Sequence, residues 1–158
     1  MLRDEKILIT GAAGQIAFPI TEMLAADNEG YRNLLKLTSR SFLEGYFGKP
    51  RTDYQLLREH AAGVICLSGC PSGRLSKSLE NGDSEEAKRE IERLCDIFGP
   101  NNVYIEIQQT GIADLEHISP ALAELAGQVG LPLVATNDIH YLEHKDAEAH
   151  DVLLCIQT

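Results

Sequence analysis

The chain has no tryptophan and only two methionines, and aromatic residues make up just 6% of it. It also lacks any apolar run near the roughly 20 residues that a membrane helix needs. Its opening, MLRDEKILIT, sets one short apolar run behind mixed charges, so it reads as neither a secretory signal nor a transit peptide. A cytoplasmic location without membrane attachment is the expectation. Basic side chains are scarce: 14 Lys and Arg stand against 24 Asp and Glu, a formal charge of −10. A phosphate backbone rewards clustered cations. The only gathering here is a loose one, Arg32, Lys36, Arg40, Lys49 and Arg51. No autonomous nucleic-acid binding is expected. The four cysteines, Cys66, Cys70, Cys95 and Cys155, contain no CxxC pair and no zinc-finger spacing, and read mostly as reduced, buried thiols.

What is present suits one globular domain. The 158 residues are 44% apolar and 24% charged, with no linker, repeat or low-complexity stretch. Four short apolar runs read as buried parallel strands: 7–10 (ILIT), 64–68 (VICLS), 103–108 (VYIEIQ) and 131–136 (LPLVAT). Helical patterns separate them. One spans 15–27, with Ile16, Ile20, Met23 and Leu24 on a stripe, and another spans 32–44. Shorter helices are expected at 53–60, started by an Asp cap, and at 74–80. The clearest begins at Asp83 or Ser84, carries acids in its first turn and stops at Gly99-Pro100. Two more follow, one closed by Gly130 and one over 144–156. Strands alternating with helices predict an α/β fold over residues 1–158. Its mainly parallel four-stranded sheet would be either an open Rossmann-like sandwich or part of a β/α barrel.

The first strand runs into a glycine turn, ITGAAGQI. Gly11 permits a tight turn after Thr10, and Gly14 lets a phosphate approach the free N–H groups of the following helix. The stretch resembles the TGxxGxI opening of extended short-chain dehydrogenases and nucleotide-sugar epimerases. That resemblance implies an NAD(P) pyrophosphate loop at Thr10, Gly11, Gly14, Gln15 and Ile16. No acidic residue ends a second strand at the distance that ribose recognition needs, and no Tyr-x-x-x-Lys follows. A plain strand-to-helix connection is the competing reading.

From about residue 24 the chain is similar to another family. LAADNEGYRNLLKLTSRSFLEGYFGKPR, GVICLSGCPSG and LPLVATNDIHYLEHKDAEAHDVLLCIQT resemble the C-terminal part of the PHP (polymerase and histidinol phosphatase) domain of bacterial DNA polymerase III alpha subunits. The resemblance implies a β/α-barrel segment whose mouth holds metal ions in some members and is purely structural in others. Carried over residue by residue, it assigns metal ligation to Cys70, Asp138 and His140. Residues i and i+2 beyond a strand point the same way. Carboxylate with imidazole suits Zn, Mn or Fe, and a thiolate leans towards Zn. The departures are large. The family's opening His-x-His pair and its other early ligands have no counterpart here. Its Gln-Asp-His-Gly reads Gln108-Gln109-Thr110-Gly111. The chain therefore reads as a non-catalytic fragment or chimera, an epimerase-like segment 1–23 joined to a PHP-like segment 24–158. The remainder of a polymerase subunit would be its partner. The alternatives are a remnant metal-dependent phosphoesterase and a nucleotide-binding module.

Other polar residues carry less. His144, His150 and Asp151 lie on an acidic helix and read as solvated, and His60 and His117 stand alone. Glu106 sits inside a strand, alternating with Tyr104 and Gln108. It either faces the polar end of the sheet or pairs with a buried cation.

Overall fold

The computed structural model describes residues 22–47, 50–69, 71, 73–108, 117–137 and 141–157. Its first element is a strand, β1 (Glu22–Ala25), followed by helix α1 (Asn28–Leu43), helix α2 (Tyr54–Glu59) and strand β2 (Val64–Leu67). Then come α3 (Arg74–Glu80), α4 (Ser84–Phe98), a 3-10 turn (Pro100–Asn102), β3 (Val103–Gln108), α5 (Ile118–Val129) and β4 (Leu133–Thr136). A second 3-10 turn (His144–Asp146) leads into α6 (Ala147–Gln157).

The sheet order is β1-β2-β3-β4. The three later strands run parallel, as their apolar composition predicts, with Cys66 beside Val103 and Ile105 beside Leu133. β1 is antiparallel to β2, pairing Met23 with Cys66. The sheet is therefore mixed, and as described it is open, with β1 and β4 at its edges. The strand expected at 7–10 and the glycine turn lie outside the described residues.

β1 corrects the helix expected over 15–27. Met23 and Ala25 are buried and Leu24 between them is less so, an alternation of period two. A stripe of two or three apolar residues fits either period. The free edge of β2 offers these residues a backbone ladder that a helix could not use.

The caps set the helix starts. The side chains of Asp27, Asp53 and Asp83 accept from the backbone N–H of Gly30 (2.8 Å), Leu56 (2.7 Å) and Glu86 (2.9 Å). Asp27 starts α1 four residues before the expected position. There the chain comes very close to the turn ahead of β2. Ala26 N–H donates to Gly63 O at 2.8 Å, and a Cβ on Gly30 would fall 1.7 Å from that same oxygen. Only glycine fits at residue 30, and Gly63 itself holds φ +69°.

The two apolar clusters of the core lie on one face of the sheet, while Ile65 and Leu67 of β2 are buried on the other. Met23, Val64, Cys66 and Val103 pack with Leu37 of α1, Leu57 of α2, and Leu94 and Phe98 of α4. Ile105 packs with Ala87 and Ile91 of α4, Leu75 of α3 and Leu122 of α5. Each fully buried side chain of this kind contributes roughly 1.5–3 kcal/mol. The cover stops short of β4, where Leu133 on the same face remains 45% exposed. Among the described residues no helix is long and apolar enough to cross a membrane.

Candidate functional site

The opposite face carries the polar residues. Register places Glu106 beside Val134 and Gln108 beside Thr136. Parallel pairing brings the C-terminal ends of β2, β3 and β4 to one rim, the usual crevice of an α/β domain. Ser68, one residue beyond β2, accepts the Glu106 N–H on its Oγ at 2.9 Å. Gln108 Nε2 donates to Glu106 Oε1 at 3.0 Å and to Thr136 Oγ1 at 3.1 Å. Thr136 Oγ1 donates in turn to Glu106 Oε1. Ser119, at the start of α5, donates to the Gln108 carbonyl at 3.2 Å. Glu106 is 1% exposed, and its other oxygen, Oε2, is buried with no hydrogen-bond partner among the described residues. A buried carboxylate oxygen without a donor is costly, so the rim is built around an unmet demand for a donor or cation.

A second buried carboxylate sits on α4. Glu90 accepts from the Tyr54 hydroxyl at 2.8 and 2.9 Å and from Arg93 Nη1 at 2.7 Å, with Arg74 Nη1 at 4.0 Å. The Tyr54 oxygen also accepts from Arg74 (2.9 Å) and Arg93 (3.2 Å), and the Arg93 guanidinium lies 4.8 Å from its ring centroid. Burial, then the bond to Glu90, raises the Tyr54 phenol above its ordinary pKa. This cluster ties α2, α3 and α4 together.

The sequence-predicted ligands Cys70, Asp138 and His140 lie outside the described residues, as do Thr10, Gly11, Gly14, Gln15 and Ile16. What is described is their approach: Ser68 precedes Cys70 by two residues, Thr136 precedes Asp138 by two, and both side chains meet at Glu106. Among the described residues no three His, Cys, Asp or Glu gather as a metal site. His150 packs its ring 5.4 Å from that of Tyr141. His117 and His144 are exposed. Burial pushes the Cys66 thiol well above its ordinary pKa, with further contributions from Cys95, Glu90 and Glu106, so it stays protonated and is no ligand. Sequence reasoning singled out Glu106 but not Ser68, Gln108, Thr136 or Glu90. The available clue was a polar residue recurring at every second position of an apolar strand.

Comparison with known proteins follows the same lines. A family model described as the PHP domain matches residues 7–110. DNA polymerase III subunit alpha of Treponema pallidum (strain Nichols) is 45% identical over 136 residues, 86% of this chain and 12% of the relative. The protein of the same name from Deinococcus radiodurans is 43% identical over 136 residues, 86% of this chain and 10% of that relative. The one from Mycobacterium tuberculosis (strain H37Rv) is 35% identical over 147 residues, 92% and 12% respectively. The chain thus spans about an eighth or less of the length of these curated relatives. The PHP match begins at residue 7, inside the stretch read above as an epimerase-like glycine turn, and the dehydrogenase resemblance finds no support.

Proposed function

The chain belongs to the PHP domain family, and from that membership we propose that it serves as a non-catalytic structural module of a DNA polymerase III alpha subunit. Residues 1–158 act as one domain, partnered by the remainder of a polymerase subunit. It extends no primer and holds neither nucleic acid nor membrane by itself. The carrying observation is the rim network. Side chains of Ser68, Glu106, Gln108 and Thr136 bind three parallel strands together beyond their backbone ladders. Such a network ties the strand ends through side chains as well as backbone.

One atom favours a second reading, a remnant metal-dependent phosphoesterase. Glu106 Oε2 is buried without a partner among the described residues, and a cation at the rim would satisfy it. Thiolate, carboxylate and imidazole from Cys70, Asp138 and His140 form a donor set suited to Zn, with Mn the alternative. When bound, such an ion polarises a phosphoryl oxygen and lowers the pKa of a bound water. Ser68 and Thr136 would hold the strand ends that lead to the ligands, and Glu106 would supply negative charge beneath them.

The test is metal content and hydrolysis of p-nitrophenyl phosphate, in wild type and in Asp138→Ala/His140→Ala. For a structural module, chelation leaves the melting midpoint unchanged and added Zn or Mn produces no hydrolysis. Hydrolysis that appears with metal and is lost in the double variant overturns the non-catalytic reading.

A further inference from the structure

Two helices leave an apolar stripe uncovered. On α1, Asn33, Leu37 and Ser41 face inward. Tyr31, Leu35 and Phe42 fall on the outer side at helical spacing, 46%, 51% and 48% exposed, and Tyr46 continues the line with its ring stacked on Phe42. On α6, Ala149, Val152, Leu153 and Ile156 follow the i, i+3, i+4, i+7 pattern and are exposed, Ile156 to 76%. α6 packs chiefly on the 3-10 turn that precedes it rather than on the sheet. Contiguous exposed apolar faces of this kind mark interaction surfaces.

Their charges are opposite. Arg32 and Lys36 flank the α1 stripe, are exposed, and make no ion pair among the described residues. Residues 28–51 carry five cations and two acids, +3, which leaves −13 for the rest of a chain whose total is −10. Beside the α6 stripe stand Asp146 and Glu148.

We propose that the outer face of α1 docks α6 of a second copy of this chain, aromatic stripe on aliphatic stripe, with Arg32 and Lys36 against Asp146 and Glu148. The occupant follows from charge: in a molecule of net charge −10, the cations Arg32 and Lys36 beside the aromatic stripe find the acids Asp146 and Glu148 beside the aliphatic one. The contact is heterologous, since the two surfaces differ, so each docked copy still presents one free α1 and one free α6. Association therefore runs head to tail and continues past the dimer unless a ring closes.

Light scattering coupled to size exclusion, on the full chain at about 10 to several hundred micromolar, reads this directly. Wild type is expected to grow in mass with concentration, and less so in high salt, which screens the flanking charges. Leu35→Glu/Phe42→Glu blocks α1 and Val152→Glu/Ile156→Glu blocks α6. All four positions are exposed, and circular dichroism checks that both variants fold. Each blocked variant alone should be monomeric, and a 1:1 mixture should form a dimer and nothing larger, because one contact alone remains possible. A monomeric wild type overturns the proposal. So does a mixture that stays monomeric, association of either blocked variant by itself, or an α1 face that captures a single-stranded oligonucleotide in place of a second copy.

Discussion

Glu90 and Glu106 are buried to nearly the same degree, 4% and 1% exposed, on elements packed against each other. Their surroundings differ in kind. Glu90 has a guanidinium at 2.7 Å, a second at 4.0 Å and a phenol, and both of its oxygens are bonded. Glu106 has only neutral donors among the described residues, both on one oxygen. The first carboxylate is neutralised where it stands and holds three helices together. The second is left incomplete at the rim where the strand ends converge. Burial alone does not tell these two carboxylates apart; the completeness of the partner set does.

The comparison breaks most easily at Arg93. Arg93→Met takes the nearest cation from Glu90 and is expected to lower stability by about 2–3 kcal/mol, below the roughly 3–5 kcal/mol of a fully buried pair because Arg93 is partly exposed. Urea unfolding midpoints measure it. A loss no larger than that of a surface substitution would mean that the ion pair does not hold Glu90. A sharper contrast comes from the same change at both sites. Glu90→Gln should cost about 1–2 kcal/mol through its charge-assisted bonds. Glu106→Gln should stay within about 0.5 kcal/mol or stabilise, because Oε2 has no donor among the described residues to lose and the amide keeps an oxygen for Gln108 and Thr136. Equal losses would erase the distinction.

The smallest effect is alkaline. The native state holds the Tyr54 proton more tightly than the unfolded chain does, so its raised pKa contributes stability that is whole below about pH 10 and is lost as pH rises through the native value. Cys66 acts with the same sign, from about pH 8.5 upward. Unfolding midpoints of Tyr54→Phe and wild type should therefore keep a constant gap up to about pH 10 and converge only above it. A gap that widens with pH would reverse the sign and place Tyr54 outside the Glu90 cluster.

Much of the fold was legible. Asp53, Asp83, Gly99 and Gly130 mark helix ends through local backbone chemistry, and each marks one in the structure. The parallel strands β2, β3 and β4 follow from unbroken apolar runs too short for helices. β1 was not legible, since Met23, Leu24 and Ala25 fit either period until an edge is available to pair with. For the candidate site, Glu106 stood out as a carboxylate in an apolar strand. Its partners Ser68 and Thr136 lie 38 and 30 residues away in the chain, and nothing local points to them.

The sequence by itself determined the strand–helix alternation, the caps, the acidic balance and the family likeness. Each of these is a property of neighbouring residues or of the chain's composition, and needs no folded partner. Only the tertiary structure decided that residues 22–25 pair as an antiparallel edge and that Glu90 meets two arginines while Glu106, among the described residues, meets none. It also decided that Arg32 and Lys36 stand exposed beside the outer apolar stripe of one helix. Those outcomes rest on which surfaces pack together, and a strand edge, a buried charge or an exposed stripe has no meaning until packing determines what stands opposite it.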